Sequence, residues 1–216
     1  MKNLLYKELK LVVVPGTYFF ALCGALLLVP AYPYFVGVSY CIMSFLISFA
    51  AAQANKDHEF TAMLPIPRDQ IVLAKHLTVV FVELLTLAVA VPCAFITSLV
   101  LNPGGNIVGM DANFAFFGLT LIEYSVFNIV FLPGYFKTGY KTGFPMLFGL
   151  ISYVSVAVIF EVLIAVIPVL KTNLDSLNPA TFGYQFIVLG LGIIAFLITT
   201  FVSWKVSTKK FEKVSL

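Results

Sequence analysis

The sequence predicts an all-α, polytopic membrane protein with six transmembrane helices in one domain over residues 1–216, a helical cytoplasmic loop and cytoplasmic termini. Three observations predict it. Hydrophobic residues make up 61% of the chain and charged residues only 11%, and the mean hydropathy is +1.02; a soluble domain is about a quarter charged. Apolar runs recur at the length of roughly 20 residues that a helix needs to cross a bilayer. Twelve of the thirteen Lys and Arg fall in alternate connections, the pattern left by loops that stay in the cytoplasm.

Each span is marked by what ends it. The first, 11–29, follows Lys2, Lys7 and Lys10; it is too long for a signal-peptide core and no small-x-small site follows, so it reads as a mature helix. The second, 34–54, opens after Pro30 and Pro33 and closes at Asn55-Lys56. The third, 77–101, stops at Asn102-Pro103, and the fourth, 113–132, at Pro133-Gly134. The fifth, 144–170, contains Pro168, and with the Ser176-Leu-Asn-Pro179 stretch this predicts a break and a helical re-entry in the last outer connection. The sixth, 182–204, ends on Trp204 beside Lys205, which with Tyr18 of the first span suits the aromatic belt of a membrane interface. The alternating ten-residue strands of a membrane barrel do not occur.

Several functions are excluded at this level. A net charge of +3 gives no reason to expect nucleic acid. Cys23, Cys41 and Cys93 sit singly in apolar runs and read as packing residues, while His58 and His76 flank a polar loop with no ligand set for a metal. The phosphate-binding pattern G-x-x-x-x-G-K-[ST] is absent, and no serine has a base nearby, so no catalytic residue and no directly bound cofactor is expected.

The polar residues concentrate in the loop 55–76, where charges mix with Phe60, Met63, Leu64, Ile66 and Ile71. This pattern predicts a short amphipathic helix, a Pro-fixed turn at 64–67 and a second helix opening at Pro67 and Arg68. Such an elbow serves either as a docking surface or as a helix resting on lipid headgroups. The run Glu59-x-Thr61-x-x-Leu64-Pro65-Ile66-x-Arg68, followed by Lys75, resembles the coupling segment of the permease subunits of type-2 ABC exporters. Pro67 departs from that pattern, standing where the family commonly has Ser or Thr. The resemblance implies an amphipathic helix over 1–11 lying along the membrane face, and docking of Glu59, Thr61, Leu64, Pro65, Arg68 and Lys75 on a cytoplasmic ABC ATPase. Two ATPase copies and a second permease, identical or a sister, would complete the assembly, with ATP and magnesium bound by the ATPases.

Three acids lie within spans: Glu83, Glu123 and Glu161. A charge at bilayer depth costs about 3 kcal/mol, so each is expected to face other helices or water. Glu83, Thr86, Ala90 and Thr97 share a face of the third span, and Thr120, Tyr124 and Asn128, with Glu123 beside them, line the fourth. These faces either line a translocation path or tie helices together. Small residues, Ser44, Ser48 and Ala52 on the second span and Gly183 and Gly190 on the sixth, mark expected close helix contacts. The many Phe and Tyr read as lipid-facing bulk.

By resemblance the chain is the plasma-membrane permease of an ATP-driven exporter, moving an amphipathic or hydrophobic cargo outward. Small bacterial permeases that export, or give immunity to, antimicrobial and cytolytic peptides are similar to it, which favours a peptide. Two other readings fit six helices: the substrate-binding component of a vitamin importer, and an ion-coupled carrier using the intramembrane Glu residues.

Overall fold

A computed structural model describes residues 2–214, except for the side chains of Lys2, Leu11, Val12, His58, Glu59 and Ala62. The described residues are mostly helical, with no strand among them, and five of the helices are long and apolar enough to cross a membrane. A sixth crossing is obtained if the bent amino-terminal pair counts as one span.

That pair begins with α1, Lys2–Lys7, extended by a π-helical turn at Glu8–Val12. Val14 is extended because the ring of Pro15 excludes the helical region for the residue before it. Pro15 then opens α2, Pro15–Leu22, which tightens into a 3-10 segment at Cys23–Leu28. The two halves meet at 78°, so the chain bends between the amino-terminal helix expected over 1–11 and the first apolar run. Beyond it, α3 spans Tyr34–Ala54, α4 Asp57–Met63 and α5 Arg68–Ile96 with a π turn at Thr97–Leu101. Three long helices complete the bundle: α6 at Phe114–Lys137, α7 at Gly143–Val166 and α9 at Phe182–Phe211. Between the last two, Pro168 breaks the chain and starts the short α8, Pro168–Leu174, as the sequence predicts.

Helix length explains how the bundle reaches past a membrane. The 29 residues of α5 and 30 of α9 correspond to about 44 Å each at 1.5 Å per residue, against roughly 30 Å of hydrocarbon. Their surplus ends meet at Arg68 and Phe211. The α1 segment, α4 and the 138–142 turn gather at this end, and the connections 97–113 and 167–181 occupy the opposite one.

Helix α6 is the axis, packed most extensively on α9 and then on α7. A β-carbon on Gly118 would stand 2.6 Å from the carbonyl oxygen of Val188, so the two backbones touch there. Gly192 lies opposite, against the Gly118 backbone. This overturns the expectation for Gly183 and Gly190, where a β-carbon would have no neighbour within 4 Å. Ser44, Ser48 and Ala52 are buried, and Ser48 shares a 2.5 Å hydrogen bond with Thr17 of α2. The aromatic residues also divide differently from the sequence reading. Phe45, Phe49, Phe127, Phe131, Tyr135 and Phe136 are buried in an edge-and-face ladder, with Phe49 4.8 Å from Tyr135, whereas Phe144, Phe148 and Phe201 remain exposed on the apolar perimeter.

Candidate functional site

The elbow is built by backbone constraints. Lys56 takes a left-handed conformation that turns the chain out of α3, and α4 follows immediately. Leu64 is extended before Pro65, and Pro67, also extended, precedes the first turn of α5. On the outer side of this turn Phe60 and Met63 are 62% and 81% exposed, with Pro65 exposed beside them. On the inner side Ile66 packs with Leu4, Ile71 and Ala74, which clasps α1 against the base of α5.

Beneath the elbow lies a buried ionic cluster. The Lys75 ammonium stands 2.6 Å from Glu8 and 3.7 Å from Asp57, over the ring of Phe49. Lys7 reaches Asp57 at 2.5 Å and donates to the Thr61 hydroxyl at 2.6 Å, and Thr61 donates to the Asp57 carbonyl. Two cations and two anions therefore compensate one another across three segments, an arrangement that tolerates burial only when each charge is paired. Of the six residues singled out in the loop, Thr61 and Lys75 point into this cluster and are each 2% exposed. The Glu59 side chain lies outside the described residues. Arg68 turns away from the elbow: its guanidinium donates to the carbonyls of Phe211, Glu212 and Val214 at 3.0–3.2 Å, closing the end of α9, and sits over the Phe211 ring. Trp204 donates to the Asp69 carbonyl, joining the same two helices.

Sequence reasoning missed Lys7, Glu8 and Asp57 as members of this unit. It also placed His76 in the loop, whereas the residue is buried within α5. The His76 Nδ1 lies 2.9 Å from the Val72 carbonyl and must carry the proton there; Nε2 lies 3.1 Å from the Ser203 hydroxyl. A histidine does therefore stand inside an apolar helix, contrary to the sequence reading, with α9 as its partner. Among the described residues no group of three or more His, Cys, Asp or Glu is arranged to hold a metal ion.

The intramembrane acids occupy separate places. Glu83 is wholly buried and accepts a 3.0 Å hydrogen bond from the Asn128 side chain. Thr86 is equally buried, its hydroxyl donating to Val82. Glu123 and Glu161 border one narrow cleft with Phe35 and Met110, and Glu161 accepts from the Met110 N–H at 3.2 Å. Glu83 and Asn128 are thus brought together, while Glu123 and Glu161 share a cleft that neither Glu83 nor Asn128 lines.

Comparison with curated proteins and with solved structures finds no match. Comparison with protein families matches residues 3–212 to the ABC-2 family transporter protein. With helices of spanning length throughout and a match over nearly its whole length, the chain belongs to the ABC-2 transporter family, whose membrane subunits are non-catalytic permeases working with an ABC ATPase.

Proposed function

We propose that this chain is the permease half of an ATP-driven exporter in the plasma membrane, with both termini cytoplasmic and α4 with the 64–67 turn as its contact with the ATPase. Two permeases, identical or sisters, pair above two ATPase copies, which bind ATP and magnesium. The observation that carries this reading is the two-sided elbow: apolar Phe60 and Met63 project outward, while Lys75, Glu8, Asp57 and Lys7 fix its inner side to the bundle. A surface held this way transmits displacement instead of absorbing it. Closure of two ATPases would drive the elbows together and tilt α5, the long helix that begins at the elbow.

Within this reading Leu64 and Pro65 form the contact turn, Thr61 and Lys75 hold it, and Arg68 keeps α5 and α9 moving as one unit. The cargo is an amphipathic or hydrophobic molecule, and a peptide is the form favoured by the resemblance to small peptide-exporting permeases. Glu83 and Asn128 act in this scheme by tying α5 to α6, while the Thr86 hydroxyl is bonded within α5; Glu123 and Glu161 border a separate cleft.

The test uses the permease reconstituted with its ATPase. Phe60→Glu and Met63→Glu should leave the bundle folded and remove stimulation of ATP hydrolysis and ATP-driven cargo movement. Undiminished ATP-driven transport in the double variant overturns the docking assignment. Transport by the permease alone, driven by a proton or sodium gradient, overturns the exporter reading in favour of an ion-coupled carrier.

A further inference from the structure

At the end of the bundle away from the elbow, α5, α6 and α9 enclose a cavity of about 450 Å³, within the size range of small-molecule sites. Its walls include Val91, Phe95, Leu99, Phe117, Phe182 and Leu189. Asn113 also borders it, but its side chain is fully engaged, accepting from the Phe116 N–H and donating to the carbonyls of Leu174 and Ser176. Phe95 and Leu99 at the mouth are 51% and 74% exposed on an apolar helix surface, so the opening faces hydrocarbon when the helices are in a bilayer.

The cavity has a polar neighbour. Ala94, Ser98, Ala112 and Leu177 also border a second cleft of about 10 Å³, room for one water-sized group. Its far wall is Tyr34, Asn102, Asn106 and Asp111. Asn102 donates its amide to the Gly105 carbonyl, and Asn106 donates to the Tyr32 carbonyl and accepts from the Val108 N–H. The Asp111 carboxyl accepts from the Asn106 N–H through one oxygen, and the Tyr34 hydroxyl makes no hydrogen bond among the described residues. An apolar compartment therefore adjoins a small one that offers an ammonium a carboxylate, an acceptor only when ionised, together with a hydroxyl and the Asn102 amide oxygen.

We propose that the two compartments together bind a single-chain cationic amphiphile, its hydrocarbon tail between Phe95 and Phe117 and its ammonium against Asp111 and the Tyr34 hydroxyl. Charge complementarity selects the head, and the lateral opening supplies the route for the tail. A bilayer-forming lipid fits poorly, since its second chain and its phosphate have no compartment and the phosphate would face Asp111. The inference rests on the chain's place in a membrane and is independent of how the elbow meets an ATPase.

The full-length protein in nanodiscs of phosphatidylcholine tests it with a dodecylamine carrying a tail diazirine, read by mass spectrometry of the labelled residues. Label should appear on α5, α6 and α9 around the cavity and be displaced by dodecylamine about tenfold better than by dodecanol or dodecanoate. Leu177→Trp, in a connection, and Ser98→Phe, in the π turn that follows α5, fill the compartments from two sides; both should reduce labelling about tenfold while the protein remains monodisperse. Asp111→Asn should keep the label and lose the preference for amine over alcohol. Labelling spread evenly over the perimeter, equal displacement by all three competitors, or displacement by phosphatidylethanolamine as effective as by dodecylamine overturns the proposal.

Discussion

Lys75 of α5 stands 2.6 Å from Glu8, and both side chains are at most 3% exposed. An ammonium and a carboxylate so buried are held by one another and by Lys7 and Asp57 beside them. Removing one member strands the others in a low-dielectric setting, which costs about 3–5 kcal/mol for a buried pair. Lys75→Met should therefore destabilise the folded protein by about 3 kcal/mol, the low end of that range because Lys7 retains part of the compensation, and this should be read as a lower thermal midpoint in detergent. Adding Glu8→Gln should recover much of the loss, and a double variant as unstable as the sum of the two singles would show that the charges act independently.

Asn128 presents its amide to Glu83, and the remaining oxygen of each side chain has no hydrogen-bond partner in the described structure. Glu83→Gln keeps the shape and an acceptor and should fold with nearly unchanged stability. Asn128→Leu leaves the buried carboxyl without its donor and should lose about 1–3 kcal/mol. Unfolding in graded denaturant compares the two; equal losses in both variants would mean that the carboxyl itself, and not only the bond from Asn128, is required at this crossing.

The legible features of the sequence were those encoded locally. Composition and run length predict helices of spanning length, and Pro168 predicts the break before α8, because a proline ring acts on its own neighbours. Pro15 carries the same signal: it opens α2, and the 78° bend lies between that start and the amino-terminal helix. The ionic cluster is not legible: Lys7 and Glu8, Asp57, and Lys75 come from three segments, and each reads in isolation as a loop or interface charge. His76 was misplaced for a related reason. Its polar neighbours in sequence face the elbow, while its own face of α5 meets Ser203 more than a hundred residues away.

Asp111 supplies a pH dependence in the 102–113 connection. Burial holds its carboxyl above the usual range; the Asn106 N–H opposes this and the nearby Asp175 adds to it. A carboxyl raised on folding favours the protonated folded state, so its contribution is fully present below the ordinary value of 3.8 and is lost as pH rises through the raised one. Backbone amide exchange in this connection, referenced to a distant helix, should therefore quicken from about pH 3 to about pH 7 beyond the intrinsic chemical trend. Asp111→Asn should flatten that excess, and an excess of equal slope in the variant would assign the effect to another group.

Gly118 and Gly192 are placed where α6 and α9 cross with their backbones in contact. A methyl on Gly118 would lie 2.6 Å from the Val188 carbonyl oxygen, and since that obstacle is main chain, no rotamer change relieves it. The helices must separate along the most extensive interface in the bundle. Overpacking in a rigid core costs typically 1–3 kcal/mol, so Gly118→Ala and Gly192→Ala should both fall at about 3 kcal/mol or lose folded yield outright. Gly190 sits only two residues from Gly192 but has open space where its β-carbon would be. Gly190→Ala should be neutral or gain about 0.5–1 kcal/mol through the better helix propensity of alanine. The three variants share one chemical change, so their ranking in a thermal-shift measurement separates backbone contact from propensity: Gly190→Ala falling with the other two would place the crossing elsewhere on α9.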